Sequence, residues 1–300
     1  MNLWRLHVTV VCNAQKLHVE KRMNIIKLPD SLNLEKSETV QVYDYCSSKE
    51  ISKQQIILNQ NTFSFLIEGN KEVIFDNSDL SIDNCKFLIM KSGHCLMTEK
   101  LSEIKNYRSI LLFFTNETLF KFIQKFELNN IEQNEYKSVY SFDYDEFIKR
   151  FVDSLIDISK LSRTVQKKII EVKFEEIMLY LIELHGTHIL YSLSSNNDNL
   201  TQNFTRTVES NQLKKLTLKE LAFLCNMSVS TFKREFEKHY SESPIKWFQN
   251  KRLEHAYYLL NQKHKKSSEI YFEVGYENLS SFIQAYKSKY NKTPKQHQIE

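Results

Sequence analysis

The chain has 300 residues, 41% hydrophobic and 26% charged, with 41 Lys and Arg against 37 Asp and Glu for a net charge of +4. That length suits about two domains with real cores, and no apolar run reaches the ~18–20 residues that a membrane span needs. The five cysteines, Cys12, Cys46, Cys85, Cys95 and Cys225, are odd in number, scattered and without a C-x-x-C pair. This pattern fits free thiols in a reducing cytoplasm and excludes a disulfide scaffold.

The opening MNLWRLHVTVVCNA pairs one early Arg with a short apolar stretch, a faint likeness to a signal peptide. It is read as an extension over residues 1–23, with Met23 as the natural start. Over residues 24–117 the runs QVYDY, QQIILN, TFSFLIEG, KEVIFD, KFLIMKSG and YRSILLFF are short and rich in β-branched and aromatic residues. Glu68-Gly69-Asn70 and Asp76-Asn77-Ser78-Asp79 supply turns between them. Strands so short and closely spaced predict a small barrel or jelly roll.

Residues 118–191 change to helical spacing in LFKFIQKF, DYDEFIKRFVDSLIDISK and VQKKIIEVKFEEIMLYLIELHG. In the last of these Ile169, Val172, Ile177, Leu181 and Leu184 form a stripe that Ile170, Phe174 and Met178 widen. Either the stripe packs on the barrel or it joins two copies of the chain. SLSSNNDNLTQN, residues 192–203, is polar and aperiodic and reads as a linker.

Residues 204–300 contain one helix-turn-helix pattern twice. The first copy runs from Thr217 to Pro244 and the second from Ser268 to Pro294. Leu221, Cys225, Asn226 and Met227 match Ile270, Val274, Gly275 and Tyr276 at an offset of 49. Phe232, Phe236, Tyr240 and Pro244 match Phe282, Tyr286, Tyr290 and Pro294 at an offset of 50. In the first copy Thr217 and Glu220 spell a capping box, Asn226 suits a left-handed turn and Ser228 suits an N-cap. Val229, Phe232 and Phe236 are placed inward on the second helix, and Ser230, Lys233, Arg234 and Glu237 outward. In the second copy Gly275 takes the turn and Asn278 the cap. Phe282 and Tyr286 face inward; Ser280, Ser281, Gln284 and Lys287 face outward, with Ile283 at the margin. Ser243-Pro244 opens a helix between the copies, whose Trp247, Leu253, Ala256, Leu259 and Leu260 suit a rigid spacer. A single copy would fit any short helical hairpin. Duplication in register is far more specific, and two such units can enter successive major-groove segments of one duplex. Charge agrees: residues 211–300 hold sixteen Lys and Arg against nine Asp and Glu, a net of +7 that suits a polyanion.

LAFLCNMSVSTFKREF, SPIKWFQNKRLEHAYYLL and SEIYFEVGYENLSSFIQAYKSKYNKTP strongly resemble the DNA-binding domain of the AraC/XylS family of bacterial transcription regulators. The resemblance covers about Thr207 to Gln298. Tyr271 stands where the family usually has Ala, and Ser241 and Asn291 where it often has Gly. The family's base-contacting positions fall on Ser230, Lys233 and Arg234 in the first unit; in the second, Ser280, Ser281, Ile283 and Gln284 replace that charged surface, with Gln284 at the position matching Arg234 and Lys287 one turn further along, placed for phosphate. The resemblance implies a cupin-like sensor over the β-rich region, where FLIEGNKEVIFD and KFLIMKSGH look like its strand pairs, and a dimerising role for the helical segment.

The fold expected is therefore α+β and multidomain: a cupin-like β-rich domain with a helical segment, then an all-α DNA-binding domain. The function expected is a cytoplasmic, sequence-specific regulator of transcription, an activator acting with promoter DNA and RNA polymerase. It would answer to a small-molecule or protein effector and act as a homodimer. Two rivals are a ligand-independent repressor or architectural DNA-binding protein, and a cupin-type enzyme fused to a DNA-binding module. The barrel region holds His94 alone, too few ligands for a metal-dependent cupin. His185 and His188 flank Gly186 at a helix end, and no G-x-S-x-G, Walker loop or G-x-G-x-x-G occurs. No catalytic residue, cofactor or metal is expected.

Overall fold

A computed structural model describes residues 25–32, 34, 38–128, 131, 136–158, 161–195 and 200–299; the expected extension at 1–23 lies outside them. The chain divides into two compact units: most of the chain up to Ser194 forms one, and the chain from Ser195 onward, together with Ile74–Ser78 and His94–Leu96, forms the other.

The first unit opens with nine strands: β1 (Ile26–Leu28), β2 (Val40–Ser47), β3 (Ile51–Leu58), β4 (Asn61–Glu68), β5 (Asn70–Ile74), β6 (Asp79–Ile82), β7 (Lys86–Met90), β8 (Gly93–Lys100) and β9 (Tyr107–Phe114). It continues with α1 (Asn116–Lys125), β10 (Val139–Asp143), α2 (Glu146–Ile158), α3 (Arg163–His185) and α4 (His188–Ser194). The strands form two five-stranded sheets, in the orders β1-β3-β8-β5-β6 and β10-β7-β4-β9-β2. Side chains alternate faces along a strand, and the second sheet uses both. Phe63 and Phe65 of β4, Phe87 and Ile89 of β7, and Ile110, Leu112 and Phe114 of β9 are buried in one cluster with residues of α1–α4, among them Phe122, Phe151, Phe174 and Leu181. Between these positions, Thr62, Met90 and Leu111 point to the opposite face. They line a cavity with Ile56, Leu58 and Met97 of the first sheet.

Three expectations change. The segment 118–191 is not all helical: β10 lies within it and pairs antiparallel with β7, from Val139 opposite Met90 to Asp143 opposite Lys86. Residues 192–203 are helical at both ends, since Ser192–Ser194 close α4 and Leu200 starts the next helix; composition reads polarity here, but Ser192 and Leu193 are buried. The α3 stripe splits. Phe174, Ile177, Met178 and Leu181 are buried, whereas Val172 is 61% and Leu184 53% exposed. Residues 174, 177, 178 and 181 share a narrow arc at 100° per residue, and Val172 falls about 200° from Phe174.

The second unit is helical: α5 (Leu200–Ser210), α6 (Leu218–Leu224), α7 (Val229–Tyr240), α8 (Pro244–Asn261), α9 (Ser267–Ile270), α10 (Leu279–Tyr290) and α11 (Pro294–Ile299). It has two small cores. One gathers Phe204, Val208, Leu221, Ala222, Cys225, Phe232, Phe236 and Phe248. The other gathers Leu253, Ala256, Leu259, Leu260, Ile270, Val274, Phe282 and Tyr286. The spacer α8 contributes Phe248 to the first and Leu253 onward to the second, so 18 residues of one helix, about 27 Å long, carry both units.

Candidate nucleic-acid interface

Each helix-turn-helix is shaped by its local sequence. The Glu220 amide donates to Thr217 Oγ1 (3.2 Å) and the Thr217 amide to Glu220 Oε2 (2.7 Å), the capping box that starts α6. Asn226 then turns the chain in the left-handed region at φ 54°, and the Thr231 amide donates to Ser228 Oγ (3.1 Å) to start α7. In the second copy Gly275 turns at φ 92°, and the Ser281 amide donates to Asn278 Oδ1 (2.8 Å) to start α10. Glycine at 275 answers to space as well as angle: a Cβ there would lie 2.9 Å from Arg252 Cδ. Ser241 and Asn291, where the family often has Gly, end α7 and α10 in the same left-handed conformation at φ 52° and 56°. The short polar side chains tolerate what Gly would adopt freely. The larger Tyr271 is half-buried against the second core.

On α7, Phe232 and Phe236 are fully buried and Ser230, Lys233 and Arg234 are exposed. Arg234 keeps 75% of its side chain in solvent, with Nε 3.6 Å from Glu235 Oε1. Ser230 Oγ sits 2.9 Å from Ser228 Oγ, so it belongs to the cap as well as to the outer face. Val229, expected inward, is 36% exposed: as the first residue of the helix it precedes the turn whose side chains close over the core. On α10, Ser280, Ser281, Gln284 and Lys287 are exposed, and Ile283 is half-buried against the second core. The two outer faces are thus formed as expected, with Ile283 leaning inward.

Several residues that the sequence did not single out fix the second unit to the spacer. Lys289 of α10 donates to the Asn250 carbonyl of α8 (2.8 Å) and pairs with Glu254 (3.0 Å). Burial disfavours the Glu254 carboxylate, but hydrogen bonds from Lys289 and Lys251 outweigh it and hold its pKa below the ordinary range. Lys215 Nζ lies 3.9 Å from the centroid of the Phe272 ring, joining the approach to the first helix-turn-helix to the turn that follows α9. No periodicity marks these residues, because they meet only after α8 has set the two units side by side. Thr293-Pro294 also gains a physical account. The Gln296 amide donates to Thr293 Oγ1 (3.3 Å) and the Thr293 amide to Gln296 Oε1 (2.8 Å), a capping box that starts α11. Tyr286 Oη is 2.9 Å from His297 Nδ1, which ties α11 to the second core.

Elsewhere the chemistry is sparse. Burial pushes the His94 pKa down. His185 and His188 pack on Phe142 and Tyr140 at ring separations of 4.6 and 5.8 Å. Among the described residues no group of three or more His, Cys, Asp or Glu is arranged to hold a metal ion. Among the described residues no disulfide joins Cys46, Cys85, Cys95 or Cys225.

With both units in place, comparison with known proteins is decisive. A family model described as "ExsA N-terminal regulatory domain" matches residues 61–193, and one described as "Helix-turn-helix domain" matches 221–298. The two matches bear out the resemblance to the AraC/XylS family of transcription regulators. It is 28% identical over 127 residues to the thermoregulatory protein LcrF of Yersinia pestis, covering 42% of this chain and 47% of that protein. It is 26% identical over 124 residues to the transcriptional regulator ExsA of Pseudomonas aeruginosa, covering 41% and 45%. The chain spans about half the length of the curated relatives it matches. A crystal structure of an apo ToxT variant from Vibrio cholerae aligns over 87% of this chain and 96% of its own at 12% identity, with a TM-score of 0.42, too loose a superposition to build on.

Proposed function

We propose that this chain is a sequence-specific transcription activator of the AraC/XylS family that binds promoter DNA in the cytoplasm through both helix-turn-helix units and works with RNA polymerase. The observation that carries the reading is the pair of exposed faces on α7 and α10, each backed by its own core and joined by α8. Ser230, Lys233 and Arg234 read one major-groove segment. Ser280, Ser281 and Gln284, with Ile283 at the margin, read the next, and Lys287 holds phosphate. Arginine can bond guanine in bidentate fashion and glutamine adenine, so the second half-site is biased to A·T. Successive segments lie one helical turn apart, about 10–10.5 base pairs. Activation is supported by the relative named as the virulence regulon transcriptional activator VirF of Yersinia enterocolitica, 28% identical over 127 residues.

The amino-terminal unit serves regulation and assembly, not catalysis. Dimerisation is supported by α3, where Val165, Val172 and Leu179 are exposed at seven-residue steps and so share one face. An effector, small molecule or protein, acts through the same unit. The test is DNase footprinting after selection from randomised duplexes. Two protected half-sites one turn apart are expected; a folded chain that protects no site, or protects all sequences alike, overturns the reading.

A further inference from the structure

The turn of the second helix-turn-helix packs on an arginine whose charge the protein leaves uncompensated. Arg252 stands on α8 beside the core residue Leu253, with its stem against Gly275. A Cβ on Gly275 would meet Arg252 Cδ at 2.9 Å, Nε at 3.1 Å and Lys215 Cε at 3.6 Å, so two cationic side chains converge over this one turn. Lys251 and Lys289 nearby are both paired with Glu254. Arg252 has no such partner: among the described residues no carboxylate pairs with it. Its Nε is buried without a hydrogen bond, and so is Tyr276 Oη beside it. Burial pushes the Arg252 pKa down, and Tyr276 opposes that shift only in part. A cation that loses hydration without gaining a counter-charge is costly. The outer nitrogens Nη1 and Nη2 make no bond within the described residues and are not enclosed, so they face solvent.

We infer that Arg252, with Lys215 beside it, is a binding site for one phosphodiester of the DNA backbone, held end-on by Nη1 and Nη2. Three features select this ligand. The open groups are positively charged donors, so the ligand must bring acceptors and negative charge. The flat edge of a guanidinium matches the two non-bridging oxygens of a phosphodiester. Position then names the source. Gly275 lies three residues before Asn278, the cap of α10. A recognition helix meets base edges through its amino-terminal residues, while the helix before it crosses the backbone. The phosphate flanking the groove that α10 enters is therefore the anion set against this turn. Lys215 stands just before the capping box of α6, so the same phosphate would meet a side chain from each helix-turn-helix. The inference rests on the reading of α10 as a recognition helix and adds to it a contact that positions the duplex without reading sequence.

The test follows binding of the full chain to cognate and random duplexes across a salt series, by fluorescence anisotropy. Arg252→Gln should weaken both duplexes alike, about tenfold at low salt, and lower the salt slope by about one. Arg252→Lys keeps the charge and should keep the slope. A neutral methylphosphonate, placed at each phosphate of the cognate site in turn, gives a readout that a packing role would not move. At one position wild type should lose at least about fivefold and Arg252→Gln less than about twofold. If circular dichroism shows that Arg252→Gln does not fold, Lys215→Gln, on an exposed side chain, takes its place with the same expectation. Inorganic phosphate exchanged for chloride at constant ionic strength should leave wild-type affinity within about twofold. An unchanged slope, a loss confined to the cognate duplex, no methylphosphonate position that the variant ignores, or saturable competition by inorganic phosphate each overturn the inference. Those outcomes leave the protected half-sites of wild type untouched, whereas a wild-type chain that binds no duplex overturns both readings.

Discussion

Two substitutions on α7, two residues apart, should separate folding from recognition. Phe232 is fully buried, with its ring 5.5 Å from Phe204 and 5.7 Å from Phe236. Phe232→Ala removes the centre of the first core and should cost roughly 3–5 kcal/mol. A domain of this size has only about 5–14 kcal/mol of stability, so about a fifth or more is lost. Arg234 is 75% exposed and meets Glu235 only at 3.6 Å, so Arg234→Ala should change stability by no more than about 0.5 kcal/mol. Its cost falls on DNA: about 1–3 kcal/mol at the cognate site, or about 5- to 150-fold, with little change on random duplex. Urea denaturation followed by Trp247 fluorescence reads the first core directly, because Trp247 packs 5.5 Å from Phe236; replacing Trp4 with Phe removes the other indole. Gel shifts at fixed salt read the second quantity. If Arg234→Ala lowers the urea midpoint as far as Phe232→Ala does, the division of α7 into inner and outer faces is wrong. If it weakens cognate and random DNA equally, Arg234 holds phosphate and reads no base.

In the second unit, Gln284→Ala should weaken the cognate half-site and spare random DNA, whereas Lys287→Ala should weaken both and lower the salt slope by about one; gel shifts across a salt series distinguish them. Gly275→Ala should destabilise the carboxyl-terminal unit by more than about 1 kcal/mol, since φ is 92° and the new methyl would press on Arg252 Cδ; an unchanged urea midpoint would count against that packing. The Glu254 brace should be pH-dependent. Its carboxyl pKa is lowered in the folded chain, so its contribution is full above the unfolded value of about 4.3 and fades as pH falls through the lower folded value. Urea midpoints of wild type and Glu254→Gln should therefore differ at pH 7 and converge in acid; a constant gap would refute the linkage.

The helix-turn-helix units were legible in the sequence because their determinants are local. The box of Thr217 and Glu220, the caps Ser228 and Asn278, the turns at Asn226 and Gly275 and the aromatic spacing of Phe232, Phe236, Phe282 and Tyr286 all act within one or two helical turns, and the structure places each as the pattern predicts. The same spacing set out the exposed face from Ser230 to Arg234. Strand runs in the first unit were equally visible, since alternation is a local signal. Pairing partners were not. That β10 joins β7 across an intervening helix, that Val172 faces away from the core, that Lys289 reaches Asn250 and Glu254, and that Lys71 meets Glu99 inside the sheets are contacts between residues distant in sequence or set by the curvature of a neighbouring element. Polarity alone would have put Lys71 and Glu99 on the surface. Only the tertiary fold, by bringing β5 beside β8 over an apolar cavity, makes burial of the two charges together less costly than burial of either alone.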